Sequence, residues 1–259
     1  MGFLMALLFS GPVAAAPVAV RFTEGVTHGF LALRTADGGL IASGDLLQVA
    51  RRGAVESRTV FRFKDGSQWD ETVVFSQERV FTLQSYRLVQ KGPAFPENSE
   101  VWLERASSKD PAASGKYRVA TTAREGGKEA LLEGAFTLPP DTYNGMLVTV
   151  AKNLAKGASE TVHLLVFTPT ARLIQLEIAP AGENKVLVGE LAKSATRYVL
   201  TPRLGPWLKL LSTLAGRVPP DSHAWILTDQ VPSFVRFEGP LHSAGPVWHM
   251  ELTSPRRPD

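Results

Sequence analysis

The feature that most constrains the fold is an alternating run in the first half of the chain, VESRTVFRFKDGSQWDETVVF at residues 55–75. Val55 and Phe61 fall at odd positions of this run, whereas Arg58 and Arg62 fall at even positions. Side chains of a β-strand alternate between its two faces. The spacing therefore predicts a strand with one apolar face and one wet face.

Turn residues divide the same pattern into many short strands. Asp65 and Gly66 predict a hairpin turn, because glycine tolerates the positive φ that a tight turn requires, and residues 69–75 then return. From about residue 21 to 137 a Gly, Asp, Asn or Pro interrupts the alternation about every 8–12 residues, which is typical of an antiparallel meander. Further strands are predicted at residues 80–89, 100–105, 116–124, 130–138, 160–167, 171–179, 185–191, 195–203, 224–228, 234–238 and 245–254.

The segment LPPDTYNGML, residues 138–147, ends the meander and predicts the start of a helix. Its prolines lack the N–H that a central strand needs, and Asp141 is placed to cap the first helical turn with its carboxylate. Four apolar residues then share one helical face: Leu147, Val150, Ala151 and Leu154. Gly157 is placed to end this helix, and a second short helix is predicted at residues 207–214.

Together these patterns predict a mainly β fold with a minor α component. The expected architecture is one strongly curved antiparallel sheet, an unclosed β-barrel, with one or two short helices packed on it. No internal repeat occurs, and no linker rich in Pro, Gly or Ser divides the chain. Residues 17–259 are therefore predicted to form a single domain.

The first residues, MGFLMALLFSGPVAAAPVAV, are typical of a secretory leader. An apolar core is followed by the small residues 14–16, which predicts a signal peptide over residues 1–16. The apolar part is too short to span a bilayer, so no membrane span is expected after cleavage. The expected location is the periplasm or the extracellular space.

Composition excludes several classes of function. The formal net charge is only +3 and no basic run occurs, which argues against nucleic acid as a partner. The chain contains no cysteine, so disulfides, thiol catalysis and thiolate metal sites are all excluded. No cofactor is expected, and the oligomeric state is left open.

Motifs of the common enzyme classes are missing from the sequence. No G-x-S-x-G elbow, H-E-x-x-H pair, phosphate-cradling loop or dinucleotide fingerprint occurs. His249 and Glu251 share a strand face as a metal-binding pair would, and a surface hydrogen-bonding pair is the competing interpretation. His163, within TVHLLVF, is interpreted as a core or lumen histidine, with a catalytic base as the alternative.

Charged residues and tryptophans within predicted strands each have two interpretations. The charges are either cross-strand ion pairs on a wet outer face, or a few groups that fix the head of a ligand in an apolar cleft. The tryptophans suit core packing or an apolar pocket, and the strands of Trp225 and Trp248 are expected to pair. The candidate ligand-binding residues are Trp225, Arg236, Glu238, Trp248, His163 and Tyr143. No catalytic or metal-binding residue is assigned.

Two segments carry a family resemblance, a turn into a helix and a hairpin near the C-terminus. The residues that carry it are Asp141, Tyr143, Met146, Trp225, Ile226, Pro232, Val235 and Glu238. In the order of its elements the chain resembles the periplasmic bacterial proteins grouped as domain of unknown function 3108. That group is similar to the unclosed β-barrels of LolA-type lipoprotein carriers. The resemblance implies a location and a curved sheet with an apolar concave side, and it implies no catalytic residue.

The expected function is that of an exported, non-catalytic binding or carrier protein for a lipid, a lipoprotein or another apolar envelope ligand. One alternative is an envelope hydrolase that uses carboxylates such as Asp70, Glu71 or Glu238 with a histidine. Another is an envelope assembly factor whose exposed sheet edge adds a strand from a partner.

Overall fold

The structure, a computed structural model, describes residues 16–106, 114–122, 129–167, 171–188, 191–203, 220–242 and 245–253. These ranges hold fourteen strands and one helix. The strands are β1 (Thr27–Arg34), β2 (Leu40–Arg51), β3 (Ala54–Phe63), β4 (Gln68–Gln77), β5 (Phe81–Lys91), β6 (Asn98–Arg105), β7 (Ser114–Thr122), β8 (Glu129–Thr137), β9 (Glu160–Phe167), β10 (Ala171–Val188), β11 (Leu191–Arg203), β12 (Ser222–Leu227), β13 (Ser233–Gly239) and β14 (Trp248–Thr253). The helix is α1 (Leu147–Asn153).

All fourteen strands belong to one antiparallel sheet. Its order is β8-β7-β6-β5-β4-β3-β2-β1-β14-β13-β12-β11-β10-β9, so the pairing of β1 with β14 joins the two halves of the chain. The two terminal strands of this order, β8 and β9, do not pair with each other. The predicted fold class, one large unclosed antiparallel sheet with a short helix, is confirmed.

The hairpin predicted at Asp65 and Gly66 is present between β3 and β4. Gly66 has a φ of 85°, and the Asp65 carboxylate accepts a hydrogen bond of 2.8 Å from the backbone N–H of Ser67. Phe61 then lies opposite Trp69 in the register. Turn chemistry and alternation therefore placed this pair of strands correctly.

Two expectations about strands were wrong. Residues 171–179 and 185–191 were predicted as separate strands, but 171–188 form the single strand β10. An irregularity between Pro180 and Glu183 accommodates the proline, which has no N–H to donate, and Gly182 adopts a φ of 109° there.

The strands of Trp225 and Trp248 also do not pair. Trp225 lies on β12 and Trp248 on β14, and β13 pairs with both of these strands. From β9 to β14 each strand pairs with the strands before and after it in sequence. β13 therefore separates β12 from β14 in the sheet.

Asp141 does not cap helix α1, which corrects the prediction for that residue. The N-cap position belongs to Met146, and no side chain caps the first turn. Asp141 instead lies in a turn before the helix, and its backbone carbonyl accepts a hydrogen bond of 3.0 Å from the backbone N–H of His163 on β9. Gly145, with a φ of 71°, then turns the chain into the helix.

The apolar face predicted for this helix is confirmed. Val150 and Ala151 are fully buried, and Leu154 just after the helix is buried as well. The second predicted helix, residues 207–214, and residues 1–15 of the predicted signal peptide lie outside the described residues. Within the described ranges, no helix has both the length and the apolar character needed to cross a membrane.

The inner face of the sheet carries two apolar clusters. The first inner cluster packs around helix α1 and includes Phe75, Phe81, Leu83, Leu103, Met146, Val150, Val162, Ile178 and Leu200. The second inner cluster includes Leu31, Leu33, Phe61, Phe63, Trp69, Phe95 and Trp248. The helix therefore fills the part of the inner face that carries the first inner cluster.

Residues just before β1 hold helix α1 in this position. The buried carboxylate of Glu24 accepts hydrogen bonds of 2.6 and 2.8 Å from the Lys152 ammonium. The side-chain oxygen of Asn153 accepts hydrogen bonds of 2.9 and 2.7 Å from the backbone N–H groups of Arg21 and Phe22. The segment before β1 thus contributes polar contacts to a helix whose other face is buried in the first inner cluster.

Candidate functional site

A strip of partly exposed side chains crosses the inner face between the two clusters. The register places Leu46, Thr59, Glu71 and Leu88 side by side on β2, β3, β4 and β5. Each of these four residues is neither fully buried nor fully exposed. We call Leu46, Thr59, Glu71 and Leu88 the inner strip. Leu46 and Leu88, the two apolar members, thus keep accessible surface on the inner face, where close packing would leave none.

Apolar residues of the C-terminal strands belong to the same region. Phe234 packs against both inner clusters, as Leu88 of the inner strip does. Phe237 packs against the first cluster and Met250 against the second, and both keep part of their surface accessible. The surroundings of the strip are therefore predominantly apolar.

Glu71 is the carboxylate of the inner strip. It lies deep in the protein while its side chain retains accessible surface, and burial raises its pKa to about 7. The Tyr86 hydroxyl donates a hydrogen bond of 2.9 Å to Oε1 of Glu71, which opposes this rise in part. Burial also raises the pKa of Tyr86 well above its ordinary value. At neutral pH Glu71 is therefore poised between a neutral hydrogen-bond donor and a carboxylate.

Asp70, the residue before Glu71, lies on the outer face. Its carboxylate accepts two hydrogen bonds from the Arg58 guanidinium, at 2.9 and 2.6 Å. Arg87 and Glu100 form a comparable outer pair at 2.9 Å. The charges of these strands thus pair across strands on the wet face.

The carboxylates considered for a hydrolase are not brought together. Asp70 and Glu71 point to opposite faces of β4, and Glu238 lies on β13. Strands β3, β2, β1 and β14 separate β4 from β13 in the sheet. Among the described residues, no three His, Asp or Glu side chains converge as a metal ion would require.

Three of the predicted ligand-binding residues meet on the outer face near the C-terminus. The Arg236 guanidinium lies 5.4 Å from the ring centroid of Trp225 and forms an ion pair with Glu238. The same guanidinium lies 2.9 Å from Nδ1 of His249. Cation–π contact and ion pairing therefore engage one end of this guanidinium, while its Nε is buried without a hydrogen-bond partner.

The pairing of His249 with Arg236 was missed by sequence reasoning. His249 was considered only together with Glu251, which instead pairs with Arg34 at 2.7 Å. The register of β13 against β14, in which Glu238 lies opposite His249, creates the contact. No signal within one strand reveals such a partner.

The other three predicted residues lie elsewhere. Trp248 is buried in the second inner cluster, 5.5 Å from the ring of Phe63. Tyr143 is fully buried in the first inner cluster, where its hydroxyl accepts a hydrogen bond of 2.8 Å from the Val18 N–H and donates one of 3.3 Å to the Phe81 carbonyl. Burial raises the pKa of Tyr143 to about 12.

His163 lies in a third region, where its side chain pairs with that of Asp141. Nδ1 of His163 lies 2.7 Å from Oδ2 of Asp141, and the two side chains are 16% and 1% exposed. The other carboxylate oxygen, Oδ1 of Asp141, is buried without a hydrogen-bond partner. The Arg105 guanidinium, whose pKa burial lowers, donates to the carbonyls of Leu138 and Pro139 just before this pair. The pair anchors the segment before α1 to the edge of β9.

The inner position of Glu71 could have been found from the sequence. Glu71 alternates with Trp69, Val73 and Phe75, so period two places it on the apolar face. Its partner Tyr86 lies on the next strand and could not be found without the register.

Comparison with known proteins leaves the family open. No family model matches the chain, and no curated protein matches it. The fold is similar to a crystal structure of a beta-barrel-like protein of domain of unknown function DUF1849 from Brucella abortus, with a TM-score of 0.45 and 9% sequence identity. That similarity covers 90% of this chain and 98% of the other.

Proposed function

We propose that this protein is an exported binding or carrier protein for a lipid or another apolar molecule of the bacterial envelope. The observation that carries the proposal is the inner strip, where Leu46 and Leu88 keep accessible surface between two packed clusters. The resemblance of the sequence to the periplasmic proteins of domain of unknown function 3108 and to LolA-type carriers supports the same function and location.

The chemistry of the strip suits an apolar ligand with one polar group. Covering accessible apolar surface is favourable by about 25 cal/mol per Å². Ligand sites of this kind are mostly apolar and use a few placed polar groups to fix orientation. Glu71 and the hydroxyl of Tyr86 are such groups, and they lie within the strip and beside it.

Native mass spectrometry of the protein purified from a bacterial periplasm tests this proposal. We expect an adduct of lipid mass that organic extraction removes. Protein refolded from denaturant without lipid is the matched control, and we expect it to carry no adduct until an envelope lipid extract is added. Protein that stays free of adduct in both preparations would contradict a carrier function.

A second function, assembly by strand addition, is favoured by the edge at β8. Among the described residues, the backbones of Asp141 and Tyr143 and the side-chain amide of Asn144 hydrogen bond to the free edge of β9, whereas no strand pairs with the outer edge of β8. β8 has nine residues without Pro or Lys, and its Leu131 is 57% exposed. Such an edge accepts an extended segment of a partner protein.

Site-specific photocrosslinking in cells tests the edge function. A photoreactive residue at Glu129 should yield one reproducible partner, and Ala130→Pro, which breaks the edge, should abolish the adduct. The same photoreactive residue at the exposed Leu187 serves as control. An adduct that survives Ala130→Pro, or equal adducts at both positions, would rule out strand addition at β8.

A further inference from the structure

Two depressions on the outer face of the sheet meet at Trp102. One has a volume of about 410 Å³ and is lined by residues of β3, β4, β5 and β6, among them Arg58, Arg87 and Trp102. The other has a volume of about 640 Å³ and is lined by residues of β6, β7 and β8, among them Trp102 and Arg118. We call the two depressions together the Trp102 groove.

The register explains how the groove is built. Consecutive partners across β3 to β8 form one outer row: Arg58, Thr72, Arg87, Trp102, Arg118 and Glu133. Neighbouring strands lie about 4.8 Å apart, so Arg87 and Arg118 flank the indole on both sides. From β3 to β8, over five intervals, the row spans about 24 Å at that spacing.

Ion pairs hold the charged groups of the groove in place. Arg87 lies 2.9 Å from Glu100, and Arg118 lies 3.4 Å from Glu133. Four cations line the groove: Arg58, Arg87, Lys116 and Arg118. The lining carboxylates are Glu56, Glu100 and Glu133, and Asp70 adds a fourth by pairing with Arg58. The charges therefore nearly cancel, so the groove offers little net attraction to an anion but many fixed donors and acceptors.

The floor near β8 leaves space beside the indole. Ala120 and Ala135 line the second depression with side chains no larger than a methyl group, whereas the ring of Tyr117 lies against Gly134. A ligand can therefore approach the indole of Trp102 along the two alanines.

We propose that the Trp102 groove binds a neutral glycan chain. A sugar ring presents an apolar face, which stacks on an indole, and a rim of hydroxyl groups, which hydrogen bond to guanidinium and carboxylate groups. The length of the row suits a short oligosaccharide rather than a single sugar. An apolar ligand would leave the ion pairs desolvated, and an anionic ligand would meet the carboxylates.

This site is distinct from the inner strip. The groove contains none of Leu46, Thr59, Glu71 and Leu88, although Tyr86, which hydrogen bonds to Glu71, also lines its first depression. A protein that binds no lipid at the inner strip can still bind a glycan at the Trp102 groove, and a protein that binds no glycan can still bind a lipid. The two experiments therefore test the two proposals separately.

Isothermal titration with defined hexasaccharides tests the proposal. The neutral probes are the β-1,4-linked hexamers of glucose and of N-acetylglucosamine and the α-1,4-linked hexamer of glucose, and a heparin hexasaccharide is the anionic probe. We expect a neutral hexamer to bind, and Trp102→Ala to weaken that binding about tenfold or more through loss of stacking. Trp102→Phe keeps an aromatic face and should recover most of the affinity.

Phe30→Ala is the matched control, since Phe30 is an exposed aromatic residue on the outer face of β1. We expect it to leave glycan affinity unchanged, and urea unfolding of each variant separates loss of binding from loss of folding. Absence of binding by every neutral hexamer at millimolar concentration would overturn the proposal. Equal binding by wild type and a folded Trp102→Ala variant, or preference for heparin, would also overturn it.

Discussion

Asp70 and Glu71 are neighbours on β4, yet they lie on opposite faces of the sheet and in different environments. Asp70 lies on the outer face and accepts two hydrogen bonds from Arg58. Glu71 lies on the inner face, accepts one hydrogen bond from Tyr86 and has a pKa raised by burial to about 7. The difference teaches that period-two alternation gives two chemically equivalent carboxyl groups different roles.

The same comparison holds for the two faces as wholes. Outer charges pair across strands, as Arg87 does with Glu100 and Arg34 with Glu251. The inner face is apolar and filled at both ends, but the inner strip between the clusters keeps accessible surface. A ligand-binding function is therefore proposed for the middle of the inner face.

The largest effect is expected from truncation of an inner aromatic residue. Phe75 is fully buried in the first inner cluster, so Phe75→Ala should lower the free energy of unfolding by about 3–5 kcal/mol. Phe30→Ala on the outer face, where the residue is 41% exposed, should cost less than about 1 kcal/mol. Urea denaturation of both variants measures the difference, and similar costs would contradict the assignment of the two faces.

Glu71→Gln should remove a pH dependence of stability. The folded pKa of Glu71, about 7, lies above the ordinary value of 4.5, so its neutral form stabilises the fold below pH 4.5 and this stability is lost as pH rises to 7. The loss amounts to at most about 3 kcal/mol. Unfolding in urea at several pH values should show this contribution in wild type and in Asp70→Asn, and lack it in Glu71→Gln. If Glu71→Gln keeps the pH dependence of wild type, the Glu71 carboxyl is solvated in the folded protein and its pKa is not raised.

Asp141 supplies a third case, a carboxylate that is buried and paired with a histidine. Asp141→Ala should cost about 2 kcal/mol, because it leaves His163 without its partner. A double-mutant cycle with His163→Ala should give a coupling free energy of about 1 kcal/mol or more. Additive effects of the two substitutions would show that the pair contributes nothing and would favour a role of Asp141 within its own segment.

The smallest effect is expected for an outer ion pair. Arg87 and Glu100 are both 46% exposed, so Arg87→Ala should change the free energy of unfolding by less than about 1 kcal/mol. Raising the salt concentration should shrink the difference further. If Arg87→Ala lowered the free energy of unfolding as much as Phe75→Ala, outer ion pairs would stabilise the fold as strongly as core residues, which would contradict the comparison of the two faces.

Local patterns were enough to predict most of the fold. Alternation and the turn at Asp65 and Gly66 gave the strands and the hairpin, because both depend on residues close in sequence. The role of Asp141 was predicted wrongly, since pairing of its backbone with His163 of β9 replaces helix capping. That contact depends on where the end of the sheet meets the segment before α1, which no local pattern specifies.

The candidate site was predicted less completely than the fold. Trp225, Arg236 and Glu238 were grouped, and they do meet on the outer face, because they lie on adjacent strands of one hairpin. Trp248 was grouped with them but faces the inner side, because β13 intervenes and its register sets the face. The inner strip was not predicted, since its four members come from four strands.

Binding of a fluorescent fatty acid, cis-parinaric acid, to delipidated protein tests the central claim most directly. Leu46 belongs to the inner strip, whereas Leu47 is 46% exposed on the outer face, so Leu46→Trp fills the strip and Leu47→Trp adds the same side chain outside it. We expect wild type and Leu47→Trp to bind alike and a folded Leu46→Trp variant to bind about tenfold more weakly or not at all. Equal binding by all three proteins, or no binding by wild type, would contradict a ligand site on the inner strip.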